Sequence, residues 1–293
     1  MTATATSTVA SFLGVGIVLT ACAAKHPEIE FWDSSKGNDG ALLDAEAESC
    51  DGGAACEWPR GFADAASQTV AASNMKQLGD PEGHCPSDMR YVEGDFCNRT
   101  KETCVEWLDP ETQPARRCKR FIQSECVGKR VHRAFCIDTN EFSLPGETLP
   151  MGNIDANHAK ELCSANGKRL CRESEWISAC EGESMLPYSI GYDRPDGICN
   201  IDHTKHMGRV GHLTDYRVPD ADMSGCRSPY GTLSQIGNVD EITVRDVSRG
   251  KYSIALHGGW WGPLRNRCTP ATVAHSEIYS DLSLGFRCCS DAE

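Results

Sequence analysis

Apolar and polar positions divide this chain into stretches of very different character. Val9 to Leu19 forms an apolar core long enough for the h-region of a signal peptide and too short to cross a bilayer as a helix. Ser34 to Ser49 shows no sustained apolar period and cannot bury enough surface to offset chain entropy. From Cys85 onward apolar positions return, at first only as short fragments such as Met89-Arg-Tyr-Val-Glu-Gly, Arg120-Phe-Ile and Ala134-Phe-Cys-Ile. Residues 85–136 therefore read as short strands and loops held by cross-links rather than by a deep core. Helical spacing comes next. Asp155 serves as N-cap, Ala156, Ala159, Leu162 and Cys163 share one face, and Asn166-Gly167 is the stop. A second helix is predicted from Glu173 to Cys180, with Trp176, Ile177 and Cys180 inward and Gly182 ending it. From Tyr188 to Ser253, Gly, Pro, Asn and Asp dominate and neither period holds, so order there must come from cross-links or bound cations.

Cysteine decides the compartment. The chain has 17 in 293 residues, one of them in Leu19-Thr-Ala-Cys22, which reads as a bacterial lipoprotein processing site with Cys22 the lipid-bearing first residue of the mature chain. Residues 1–21 are then the signal peptide, although Met1 to Ala21 lacks the usual basic opening. An even set of cysteines remains, most economically read as disulfides in an oxidising, extracytoplasmic setting. Ala23-Ala24 carries no acidic retention signal, which favours the outer membrane or cell surface. No Cys-x2-4-Cys knuckle occurs, which argues against structural zinc. Cys50 and Cys56 bracket a five-residue loop and are expected to pair.

Charge refines the domain plan. Of the net −13, residues 23–84 hold twelve acidic and four basic side chains. Residues 22–84 read as a lipid-anchored, acidic, flexible tether, and residues 85–291 as the folded domain. An acidic chain without a basic stripe excludes nucleic acid as a partner.

Several segments fall into one known order. Phe135-Cys-Ile-Asp-Thr-Asn-Glu-Phe142 comes first. Ala159, Leu162-Cys163, Gly167-Lys-Arg-Leu170 and Glu173-Ser-Glu-Trp176 follow, then Asn200-Ile201, Tyr230-Gly231 and Gly237-Asn-Val-Asp-Glu241. Gly258-Gly259 and Gly285-Phe-Arg287 close the series. Together they resemble the formylglycine-generating enzyme, or sulfatase-modifying factor, family. The resemblance implies an α+β variant of the C-type lectin fold, disulfide-rich, with two helices, a small twisted sheet and much irregular chain. It implies two structural calcium sites, one at Asn200, the Ile201 carbonyl and Asp215. The other would use Glu241 and the carbonyls of Gly237 and Val239, with Ser234 where the family has Asp or Asn. Oxygen donors from irregular chain suit calcium. The competing reading makes Glu241 a buried carboxylate paired with an arginine. The resemblance also implies disulfides Cys163–Cys288 and Cys180–Cys268, leaving a Cys171–Cys289 bridge open. Arg172 stands where the family has a Thr cap, a loss of about 1 kcal/mol.

The resemblance fails at the chemistry. The family's aerobic enzymes oxidise a substrate cysteine through copper(I) held by two cysteines after the Gly-Gly turn. Here Gly258-Gly-Trp-Trp-Gly-Pro-Leu-Arg-Asn-Arg-Cys268 is shorter and has no cysteine before Cys268, so copper is not expected. Cys288 and Cys289, adjacent on a strand, would point to opposite faces and cannot readily replace that pair. His203, His206 and His212 share one loop without a metal-binding signature. Trp260, Trp261 and Arg265 occupy the rim of the family's groove, where the tryptophans serve either as core or as an aromatic platform for peptide or glycan. The function this favours is a non-catalytic, envelope-anchored binding module. The alternatives are a formylglycine-generating oxidase and a structural envelope lipoprotein.

Overall fold

The computed structural model describes residues 80, 83–113, 116–205, 207–208, 212–247 and 251–293. The signal peptide, Cys22, the Cys50–Cys56 loop, His206 and nearly all of the tether lie outside them. Asp80 and His84, assigned above to the tether, engage the domain: Asp80 accepts from the Cys85 N–H at 2.6 Å and the His84 carbonyl accepts from the Glu293 N–H at 3.2 Å.

In chain order the elements are β1 (Met89–Cys97), β2 (Thr100–Lys101), β3 (Cys104–Trp107), β4 (Cys118–Phe121), β5 (Glu125–Cys126) and β6 (Arg130–Asp138). Then come α1 (Ala156–Ala165), β7 (Arg169–Leu170), α2 (Glu173–Glu181), β8 (Asp240–Val244), β9 (Ile254–His257), β10 (Leu284–Gly285) and β11 (Cys288–Asp291). β1 and β6 pair antiparallel over nine residues, with Val92 opposite Phe135. Val92 and Phe96 turn inward while Glu93 and Asp95 turn out, the alternation of a half-buried strand. The sheet continues as β1-β6-β11-β7; a second has the order β10-β8-β9, and β2–β5 and β3–β4 form two small pairs.

Both helices lie where the spacing places them. The Asp155 carboxylate accepts from the N–H groups of Asn157 and His158, and Ala156, Ala159 and Cys163 are buried. α2 extends one residue beyond its predicted end, to Glu181. Arg172 supplies no side-chain cap; the Glu175 carboxylate takes the Arg172 N–H at 2.9 Å while Arg169 clamps it through two bonds of 2.7 Å. That charge-assisted pair replaces the missing threonine.

Seven disulfides take in all fourteen cysteines from Cys85 to Cys289. Cys163 is joined to Cys288, Cys180 to Cys268 and Cys171 to Cys289, so both helices and the turn between them are tied to the C-terminal third of the chain. Cys85–Cys136, Cys97–Cys126 and Cys104–Cys118 staple the first strands, and Cys199–Cys226 closes the irregular region. One core cluster gathers Val92, Phe96, Phe135, Ile137, Trp176 and Ile236; another gathers α1 with Ile242, Ile254, Leu256 and Phe286.

The stretch 188–253 is not wholly irregular. β8 is the central strand of the second sheet, and its Asp240, Glu241 and Thr243 are all buried. Polar residues on both faces hide the strand's period, which is why the pattern does not predict it.

Candidate functional site

The Gly258-Gly259 turn sets the geometry here. Both glycines have left-handed φ, +83° and +75°. A Cβ at Gly258 would strike the Gln235 carbonyl, and one at Gly259 would lie 2.7 Å from Asn266 Nδ2. Only glycine fits either position. The turn sends the two following tryptophans to different fates.

Trp261 is fully buried. Its backbone N–H donates to the Asn238 carbonyl at 3.2 Å, and its own carbonyl accepts from the His203 backbone N–H at 2.9 Å. Trp260 is half-buried, edge-on to Trp261 with centroids 5.4 Å apart, and its ring lies against Gly262. Asn266 Nδ2 fixes the Trp260 carbonyl at 2.7 Å. Trp260 walls a cavity of about 650 Å³ together with Tyr279, Asn153, His212, Asp281 and Ser283, among others.

Two of the three expected groove residues are therefore reassigned. Trp261 is core. Arg265 is a clamp: its Nη2 donates to both oxygens of Asp240 at 2.7 and 2.9 Å and to the Leu256 carbonyl at 2.8 Å. Its guanidinium is committed within the protein, and it does not line the cavity.

The remaining walls come from distant segments. Asn153 sits in left-handed conformation before α1, and its N–H donates to the Asp281 carbonyl at 2.9 Å. Asp281 Oδ1 in turn accepts from the Ser283 N–H at 2.9 Å and its hydroxyl at 2.6 Å. Tyr279 stacks on His275 with centroids 3.8 Å apart. None of these three carries a motif, and only chain folding brings them to Trp260.

Of the expected calcium donors, the Asn200 and Asp215 side chains are already engaged, while the buried Ser234 hydroxyl has no hydrogen-bond partner. Asn200 is buried; its Nδ2 donates to the Tyr216 carbonyl at 2.7 Å and to Asn238 Oδ1 at 2.9 Å, while its Oδ1 meets His203 Nε2 at 2.8 Å. The Asn200 carbonyl accepts from the Asn238 N–H at 2.9 Å. Ile201 is buried beside it, and Asp215 pairs with Arg217 at 2.7 Å. Gly237 sits in left-handed conformation, where a Cβ would collide with the Asn200 carbonyl, and Ser234 is buried at φ 58°. The Val239 N–H donates to Glu141 Oε1 at 3.1 Å.

Glu241 forms a wholly buried pair with Arg287, at 2.6 Å through Nε and 2.7 Å through Nη2, and takes the Trp176 indole N–H at 2.8 Å. Arg287 spends its other N–H groups on the carbonyls of Asp138, Thr139 and Leu233. Both oxygens of Glu241 thus face donors already in place, an arrangement that does not fit a calcium shell there. Among the described residues no group of three or more His, Cys, Asp or Glu is placed to hold a metal. The copper chemistry fits no better, because every described cysteine is in a disulfide and soft thiolate ligands are lacking among them. The two described loop histidines have different surroundings: His203 stacks on Tyr216 at 4.5 Å, while His212 lines the Trp260 cavity.

A second cavity of about 440 Å³ lies over Asp138, Glu141, Lys168 and Asp220. Lys168 Nζ sits between Asp88 at 2.5 Å and Asp138 at 2.6 Å. Burial first, then the charges of Asp220 and Glu241, push the Glu141 carboxyl well above the ordinary range. Its oxygens accept from Asn238 Nδ2 and the Val239 N–H, and its own N–H donates to Asp220 Oδ2 at 2.7 Å. These groups serve one another and the backbone.

No protein-family model and no curated protein sequence matches the chain. Among solved structures it is similar to CarF, with 14% identity, 71% of this chain and 99% of that one covered, and a TM-score of 0.44. PvdO from Pseudomonas aeruginosa gives 16%, 69% and 94%, with a TM-score of 0.38. Treponema denticola variable protein 1 gives 15%, 69% and 94%, with a TM-score of 0.40. No role passes to this chain from likenesses of this size. Among the described residues, two α-helices, small sheets, much irregular chain and seven disulfides fit a disulfide-rich α+β, C-type-lectin-like fold. The disulfides point to an oxidising compartment outside the cytoplasm, and no helix among the described residues is long and apolar enough to cross a membrane.

Proposed function

We propose that this chain is a non-catalytic, envelope-anchored binding module with a formylglycine-generating-enzyme-like fold, whose cavity beside Trp260 receives a peptide or glycan. The observation that carries the reading is the pairing of that cavity with the absence of a free thiol among the described residues. A concave site walled by rigid rings and a few fixed polar groups suits recognition. Copper-dependent oxidation needs thiolates that these residues do not offer. Anchoring rests on Leu19-Thr-Ala-Cys22 alone, outside the described residues.

The test has two arms. Incubation with a sulfatase-type cysteine peptide and copper(I), followed by mass spectrometry, should show no conversion of thiol to aldehyde. Titration with mixed peptide and oligosaccharide pools should change tryptophan fluorescence in the wild type and leave Trp260→Ala unresponsive. Aldehyde formation in stoichiometric yield would establish the oxidase instead.

A further inference from the structure

We infer that the cavity beside Trp260 selects a neutral, hydroxyl-rich ligand, the sugar rings of an uncharged oligosaccharide. The inference rests on the binding-module reading above and narrows its ligand class.

Two aromatic side chains belong to the cavity wall, and both are held before any ligand arrives. Trp260 lies against Gly262 and edge-on to Trp261, and Tyr279 is stacked on His275. Rigid amphipathic rings offer apolar faces at little entropic cost, and the C–H face of a sugar ring is a matching surface. Ordering them in advance removes a cost that the ligand would otherwise meet.

The polar groups narrow the class further. Asn153 brings both amide donors and an acceptor, and Ser280 brings a hydroxyl that can donate and accept. Asp281 is fixed through Oδ1 by Ser283, which sets its carboxylate on the wall as an acceptor. A ligand dense in hydroxyls can answer donors and acceptors alike. The Asp281 carboxylate on the wall disfavours a phosphate, sulfate or carboxylate on the ligand.

Size and edges agree. About 650 Å³ falls within the usual range of small-ligand sites. A peptide added as a strand needs an edge of several residues, and β10, next to Ser283, is two residues long.

The probes are maltotriose, cellotriose and chitotriose, with a polyanionic oligosaccharide and a proline-rich decapeptide for comparison. They are titrated against the intact secreted domain by calorimetry and tryptophan fluorescence. At least one neutral trisaccharide should bind. Trp260→Ala should weaken it about tenfold or more, the scale of losing one well-packed aromatic anchor. Trp260→Phe should restore part of the affinity, and an unchanged melting temperature in both variants separates contact from folding. His212→Ala, at an exposed lining position, gives a second reading should Trp260→Ala fold poorly. Peptide or polyanion binding that needs Trp260, with no response to neutral sugars, would overturn the glycan inference and leave the module standing. No Trp260-dependent binding in any class would overturn both.

Discussion

Glu181 gives the domain a pH dependence that can be worked out in sign and size. It is the last residue of α2 and only 1% exposed. Burial is the first cause pushing its carboxyl up to about 8, and the charge of Glu102 is the second. The Thr100 hydroxyl at 3.5 Å and the charge of Arg130 pull the other way and lose. Glu102 cannot turn aside, because its carboxylate already holds Arg267 and Thr269. The helix C-terminus adds partial negative charge of its own. In the folded state Glu181 therefore stays neutral up to about pH 8, whereas the unfolded chain ionises near 4.5. Across that window the folded state binds more protons, so stability is full below pH 4.5 and is lost as pH rises toward 8. A displacement of that size amounts to roughly 4–5 kcal/mol at its upper bound. That is a large share of an ordinary domain's net stability of about 5–15 kcal/mol. Denaturant midpoints at pH 5, 6.5 and 8, with disulfides intact, measure the slope in the wild type and in Glu181→Gln. The glutamine keeps the shape and removes the titration, so the variant should lose most of this slope. Equal slopes in the two proteins would refute the assignment of a neutral Glu181.

Non-reducing peptide mapping should recover the seven pairs, and Cys163→Ala/Cys288→Ala should cost about 4–5 kcal/mol, because that bridge spans 125 residues. Arg287→Met leaves Glu241 buried without its counter-charge and should destabilise by about 3–5 kcal/mol in chemical unfolding. A change under about 1 kcal/mol would mean that Glu241 has other compensation.

Much of the scaffold is legible in the sequence because short-range rules govern it. Asp155 caps α1, and the spacing of Ala156, Ala159 and Cys163 gives its buried face. The limits appear where one side chain answers a distant one. β8 is hidden because Asp240 and Glu241 are buried against Arg265 and Arg287, so its polar residues imitate a loop. Adjacent tryptophans look alike in sequence, and only the Gly258-Gly259 turn decides that Trp261 is core while Trp260 meets the cavity. Asn153, Tyr279 and Asp281 stay invisible, since their shared position depends on bonds between loops more than 100 residues apart.

The irregular region also explains why the cavity wall can be stiff without a long sheet beneath it. Backbone groups that no strand pairs still require partners when buried. Here carboxylates and amides supply them: Glu141 takes the Val239 N–H, Asn238 Oδ1 takes the Val218 N–H at 3.0 Å, and Arg287 Nη2 donates to the Leu233 carbonyl at 2.8 Å. The Asn238 carbonyl then receives the Trp261 N–H, and Asn266 holds the Trp260 carbonyl. Bonds thus run from the buried Glu141 through Asn238 to Trp261, and Asn266 separately fixes the neighbouring tryptophan that walls the cavity. Removing the Asn266 amide would take away the bond to the Trp260 carbonyl together with the acceptor for the Arg194 guanidinium and the Leu264 N–H. The stiffness of the Trp260 wall, which would spare a ligand an ordering cost, is built from residues outside the cavity lining.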